Sequence, residues 1–342
     1  MEKGDLTMAK DQESIGNTFS DLLATGRPLI ADGAMGTTLF SLGLEGGGCP
    51  ELLNVEQPDL VEKVHRGFID AGSDIILTNT FGGNSRRLAL HKLQDRVAEL
   101  NGAAVQVARR AADLAGRPVA VAGSVGPTGD LFAPLGPLTH EEGVAVFTEQ
   151  CQALAAAGAD VLWIETISSF EELAATVEAA ATTGLPYTAT LSFDTAGHTM
   201  MGISPSALAE WWLAHSEVHA IGANCGIGPG DAVAAAFDIS TVAPGAVTIT
   251  KANCGIPLYQ TEGLTYPIGP DKMGTYVDLA LRSGTRIIGA CCGSTPDHVA
   301  AIREAVDGFQ GGPRPERAEI ETRLEAARRP SAATRREGRR RG

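Results

Sequence analysis

Eight short apolar runs, each followed by a stretch with helical spacing, recur along the chain and leave few folds open to it. They are Pro28–Ala34, Asp74–Thr80, Pro118–Ser124, Asp160–Glu165, Tyr187–Ser192, Ala220–Asn224, Ala246–Lys251 and Arg286–Ala290. Most are continuously apolar rather than alternating, the pattern of strands buried on both faces. The spacing between them predicts helices over Arg87–Ala115, Thr139–Ala157, Phe170–Thr182, Pro205–His215 and Pro270–Ser283. Glycines with polar neighbours punctuate the helix ends, as in "AGSD" at Ala71–Asp74 and "AGAD" at Ala157–Asp160. Eight strand–helix units point to an α/β chain folded as a (β/α)8 TIM barrel. A doubly wound open sheet is the alternative. It usually needs fewer strands, and no dinucleotide-binding fingerprint follows the first run.

The barrel is expected over residues 18–310, after an N-terminal extension of residues 1–17. "GGPRP" at Gly311–Pro315 then opens an arm, 311–342, with a short helix over Glu316–Arg328 and a disordered end, "SAATRREGRRRG". From Gln310 onward there are ten arginines against five glutamates, so the net charge of −14 leaves −19 for the body. An acidic body argues against a nucleic-acid surface. The basic tail could meet RNA, an anionic membrane or an acidic partner; a solvated or packed arm is the simpler account. No run approaches the roughly 18 to 20 apolar residues of a membrane span, and the first twenty residues lack the apolar core of a secretory signal. The cytoplasm is therefore expected, where six cysteines point to metal or catalysis rather than disulfides.

A barrel puts its chemistry at the C-terminal ends of its strands. Those ends carry Asp32–Gly33, Asn79–Thr80, Ser124, Glu165–Thr166, Asn224–Cys225, Asn253–Cys254 and Cys291–Cys292. The adjacent pair in "GACCGST", Gly289–Thr295, is the sharpest of these. Neighbours on a regular strand point to opposite faces, so both thiols serve one site only if the strand stops there. Gly293 permits such a turn. Cys225 ends the sixth run, 66 positions before Cys291, on a strand two places away around a closed barrel. Thiolates with tetrahedral reach bind Zn²⁺ at roughly 2.3 Å. Three such ligands leave a catalytic position open, whereas a fourth from Cys254 would close a structural site, and spacing allows both. Small buried core residues are the bland account of a free cysteine. It suits one better than three at strand ends.

"DGAMGT" at Asp32–Thr37, "TNTFGGN" at Thr78–Asn84, "GSVGPTG" at Gly123–Gly129, "IET" at Ile164–Thr166, "GANCG" at Gly222–Gly226 and "GACCGST" closely resemble the zinc-dependent homocysteine S-methyltransferases. That group includes betaine–homocysteine methyltransferases and the homocysteine module of cobalamin-dependent methionine synthase. The resemblance covers Pro28 to about Val306, and "GGNSRRLALHKLQDRVAELN" is most similar to bacterial sequences of the betaine type. It implies zinc held by Cys225, Cys291 and Cys292, with Cys254 a neighbour. It also implies that Asp32, Gly33 and Glu165, with Ala34 and Ser124 beside them, hold the amino-acid end of homocysteine. The catalytic assignment falls on Glu165 and Asp32.

A free thiol ionises near pH 8.5, and zinc removes its proton without a general base. The implied partners are homocysteine and a small methyl donor, in a homo-oligomer without nucleic acid or membrane. Betaine comes first among donors; dimethylsulfoniopropionate, S-methylmethionine or a methylcorrinoid protein are alternatives. A non-catalytic zinc or redox protein is the reading from another class. An onium donor favours aromatic walls. Cys49, Gly82 and Thr166 stand where animal betaine enzymes have aromatic residues, with Phe81, Phe193 and Trp163 near enough to substitute. The donor walls are expected from Met35–Cys49, Phe81–Asn84, Gly126–Phe132 and Thr166–Phe170. "GIGPGD" at Gly226–Asp231 reads as a tight turn beside Cys225. His65, His91 and His298 are expected at the surface or as helix caps, and Trp211–Trp212 in helix packing.

Overall fold

The computed structural model describes residues 17–260 and 263–324. The extension up to residue 16 and the end of the arm beyond Leu324 lie outside the described residues. Eight parallel strands form one sheet: β1 (Leu29–Ile30), β2 (Ile75–Leu77), β3 (Ala120–Val125), β4 (Val161–Ile167), β5 (Tyr187–Leu191), β6 (Ala220–Cys225), β7 (Thr248–Ala252) and β10 (Thr285–Ala290). Between the last two lies an antiparallel hairpin of β8 (Leu258–Gln260) and β9 (Gly263–Thr265), which the run pattern does not reveal. The order β1-β10-β7-β6-β5-β4-β3-β2 meets itself through a parallel bridge between Ala31 and Ile75, so the sheet is a (β/α)8 barrel.

β1 and β2 are shorter than their apolar runs because side chains replace backbone acceptors at their seam. Asp32 Oδ2 accepts the Leu77 N–H at 2.8 Å, and Asp74 Oδ2 accepts the Ile30 N–H at 2.9 Å. Inside the barrel, Leu29, Ala31, Ile75, Val161, Trp163, Ile249 and Ile287 pack into one apolar cluster. Phe19 and Leu22, on the helix Thr18–Ala24, belong to that cluster and plug the N-terminal mouth. The outer faces of the strands pack under the surrounding helices in a second, larger cluster. Polar side chains can therefore converge only at the opposite, C-terminal mouth.

Two expectations need correction. The stretch Arg87–Ala115 is two helices, Ser85–Ala89 and Val97–Asp113, parted where Lys92 takes φ +60°. Leu88, Val97 and Leu100 still share one cluster, so the apolar spacing runs unbroken through a broken backbone. His65 is neither exposed nor a cap. It is fully buried on the helix Pro58–Asp70, and neither ring nitrogen has a hydrogen-bond partner among the described residues. His298 does cap, its Nδ1 accepting from the Thr295 N–H at 3.2 Å. The arm's helix is described over Arg317–Arg323 only. There the basic arm is packed: Arg314 lies 4.4 Å over the Phe237 ring, Arg317 pairs with Asp238, and Arg323 meets Asp278 at 2.9 Å. No helix among the described residues is long and apolar enough to cross a membrane.

Candidate active site at the barrel mouth

Two strand ends build the cysteine cluster. β6 closes with Cys225 in the left-handed region, φ +55°, followed by Gly226 at φ +68°. β10 stops at Ala290, the chain turns through Cys291 and Cys292, and Gly293 takes φ +83°. A Cβ on Gly293 would lie 2.1 Å from Cγ of Tyr266, so only glycine fits the turn against that ring. The outcome is the one the adjacent pair called for. Cys225 Sγ lies 3.0 Å from Cys291 Sγ, and the three sulfurs all fall within 4.8 Å of one another.

Polar neighbours hold these sulfurs in place. Asn224 Nδ2 donates to Cys225 Sγ at 3.4 Å and to Thr166 Oγ1 at 2.7 Å, while Asn253 Oδ1 accepts the Cys292 N–H at 3.0 Å. Thr166, at the end of β4, shares the left-handed backbone of Cys225, with φ +63°. Two non-glycine residues in that region at one site mark strain held by the surrounding structure. Hydrogen bonds from Cys225 and then Cys291 hold the Cys292 thiol below the usual thiol range, while Cys225 and Cys291 are themselves raised. Cys254 is different. Burial pushes its thiol up to about 12, and its sulfur is outside the three-residue cluster. Its backbone N–H donates to the Cys292 carbonyl at 2.9 Å, which makes it a support of the turn.

Three soft donors converging from two strands form a donor set suited to Zn²⁺ with one position to spare. The three cysteines line a cavity of about 280 Å³, whose floor also includes Gly33, Ser124, Glu165, Thr166 and Lys251. Glu165 is buried on β4 and receives the Ser124 hydroxyl at 2.5 Å. Burial, and next the charge of Cys291, push its carboxyl up to about 7. Ala34 also lines the cavity, but its N–H is committed to Ser294 Oγ at 3.0 Å.

Asp32 does not line the cavity. Its carboxylate is turned inward, taking the Leu77 N–H and, at 2.7 Å, the ammonium of Lys251. Both partners are almost wholly buried. Burial lowers the Lys251 pKa, but Asp32, Cys291 and Glu165 outweigh it and the group stays charged. Sequence reasoning missed Lys251, because a lysine at the end of a β-run reads as a solvated terminus.

The outer wall of the cavity is apolar, with Met35, Phe40, Pro50 and Phe81, and carries one further acid, Glu51. Glu51 is buried, accepting the Gly82 N–H at 2.7 Å and the Cys49 thiol at 3.3 Å. Met35, Phe81 and Thr166 come from segments expected to wall the donor. Residues 126–132 are not part of that lining, which is a correction. Trp163 fills the barrel interior and Phe193 the outer core, so neither reaches the cavity; Phe40 joins Phe81 instead.

With this geometry in place, comparison with known proteins is specific. The family model described as homocysteine S-methyltransferase matches residues 29–306. The methionine synthase of Mycobacterium tuberculosis is 32% identical over 327 residues, covering 90% of this chain and 27% of that protein. The methionine synthase of Mycobacterium leprae is likewise 32% identical, over 87% of this chain and 26% of its own length. The chain thus spans about a quarter of the length of these curated relatives. Among solved structures, the metallated form of the homocysteine methyltransferase MmuM from Escherichia coli superposes with a TM-score of 0.71 at 26% identity, covering 84% of this chain and 99% of that one.

Proposed function

The chain belongs to the homocysteine S-methyltransferase family, and on that premise we propose that it transfers a methyl group from a small onium donor to the thiol of homocysteine, giving methionine. The observation that carries the reading is the convergence of three cysteine sulfurs within 4.8 Å of one another on the floor of a cavity that also holds Glu165. Cys225, Cys291 and Cys292 would hold Zn²⁺, which lowers the pKa of a bound thiol and so supplies a nucleophilic sulfur at neutral pH. The remaining work falls to the chain's own side chains. Glu165, kept short of solvent and aligned by Ser124, pairs with the substrate ammonium, whose approach favours the ionised carboxylate. The turn at Gly33 lies against the cavity and bounds the other end of the amino acid. Fixing both ends aims the sulfur chain at the cluster for an in-line displacement, and no protein base is required.

The outer wall supports a cationic donor. Phe40 and Phe81 line it, Glu51 adds a carboxylate, and the only basic side chain in the lining is Lys251, on the floor. Betaine comes first, with dimethylsulfoniopropionate and S-methylmethionine as other onium compounds of the same chemistry. A methylcorrinoid protein is the second reading. The relatives named methionine synthases favour it, as do exposed Leu131, Leu135, Met200, Leu258 and Leu264 on the segments that follow β3, β5 and β7. A reduced intracellular compartment suits an enzyme that depends on free thiols. The test is to incubate zinc-loaded protein and homocysteine with each onium compound and with methylcobalamin, reading methionine by mass. Turnover with an onium compound supports the proposal. Turnover with methylcobalamin alone replaces it by the second reading.

A further inference from the structure

A lysine buried to this degree needs a reason beyond solubility. Lys251 stands on β7 opposite Gly289 of β10, and Gly289 stands in line with Ala31 beyond β1. A Cβ on Gly289 would meet Ala31 O at 2.9 Å and Asp32 O at 3.0 Å. Having none, it lets the chain at the end of β1 pass close against β10, beside Lys251. There Nζ donates to the Asp32 carbonyl at 3.0 Å and to its Oδ1 at 2.7 Å. An ammonium has three N–H donors, and among the described residues these two atoms of Asp32 are its only acceptors. Lys251 also lines the cavity floor beside Gly33 and Glu165.

We propose that Lys251 is the binding residue for the substrate's α-carboxylate. Its third N–H takes a carboxylate oxygen, while Glu165, across the same floor, takes the ammonium. The charge pattern agrees. Without Lys251 the floor holds the Glu165 carboxylate and three thiols, a surface that repels an anion; with it, one fixed cation stands beside the Gly33 turn. Because Asp32 consumes two of the three donors and anchors to β2 through Leu77, the ammonium is held in position before substrate arrives. This rests on the proposed activity and adds the selection of thiols that carry an α-amino acid head.

The experiment compares homocysteine with aminopropanethiol, which is homocysteine without its carboxylate, as ligands of the zinc-loaded full chain by calorimetry. Lys251→Met is expected to weaken homocysteine binding about tenfold or more, as loss of a charge-assisted hydrogen bond would. It should leave aminopropanethiol binding and zinc content as they were. Since Lys251→Met leaves Asp32 buried without its counter-ion, the double variant Asp32→Asn/Lys251→Met removes both charges together and is expected to lose the same preference for homocysteine. Equal weakening of both thiols, or an unchanged preference in both variants, overturns the assignment and makes the pair purely structural. Failure of the unsubstituted protein to bind homocysteine at all overturns the proposed activity itself, and Lys251's role with it.

Discussion

His65 gives the chain an acid sensitivity whose size can be worked out. Its imidazole is fully buried without a partner among the described residues, and burial lowers its pKa from 6.5 to about 3. A histidine depressed in the folded state takes up its proton first in the unfolded chain. Its stability contribution is therefore whole above pH 6.5 and is lost as pH falls from 6.5 toward 3. The loss is about 1.4 kcal/mol per pH unit, or about 2 kcal/mol at pH 5. That is a sizeable share of the roughly 5 to 15 kcal/mol that holds a domain folded. His65→Leu replaces the ring with an apolar group of similar volume and removes two unsatisfied nitrogens. Urea denaturation of both proteins at pH 7 and pH 5, in the same metal state, isolates the residue, since carboxylate and metal effects are common to both. The variant should be at least as stable at pH 7, with its advantage growing by about 2 kcal/mol at pH 5. An advantage that stays constant between the two pH values would show that His65 is protonated in the folded protein, and the argument would fail.

Three other outcomes are expected. Alanine at Cys225, Cys291 or Cys292 should abolish zinc retention after dialysis and all turnover, while Cys254→Ala keeps both; metal analysis decides, and full occupancy in Cys291→Ala would sink the ligand assignment. Glu165→Gln should keep zinc but weaken homocysteine binding about tenfold to a hundredfold, because a neutral hydrogen bond replaces a charge-assisted one, as titration calorimetry can check. Gly293→Ala forces a side chain into the left-handed region, at a cost of about 1 to 3 kcal/mol, and into the Tyr266 ring. Zinc affinity measured against a chromophoric chelator should fall, and Tyr266→Ala in the same chain should restore part of it by removing the clash.

Much of this protein was legible in its residues because burial on both faces leaves a local mark. Continuous apolar runs located the barrel strands, and polar residues where those runs stop marked the functional end of the barrel. The adjacent cysteines could share a site only if their strand ended there, and it does. The hairpin β8–β9 left no such mark, and the break at Lys92 hid beneath an unbroken apolar spacing. His65 reads in the sequence as one more polar residue on a helix, and only packing shows that nothing answers it. Lys251 is the clearest case. What surrounds it comes from β6, β10 and the end of β1, more than two hundred positions away along the chain in the case of Asp32. Sequence sets a residue's chemical type and its place along a strand, since those depend on its neighbours in the chain. Which charge faces which, and which thiol is left out of the cluster, depends on the closure of the barrel, because closure alone brings the ends of distant strands within bonding reach.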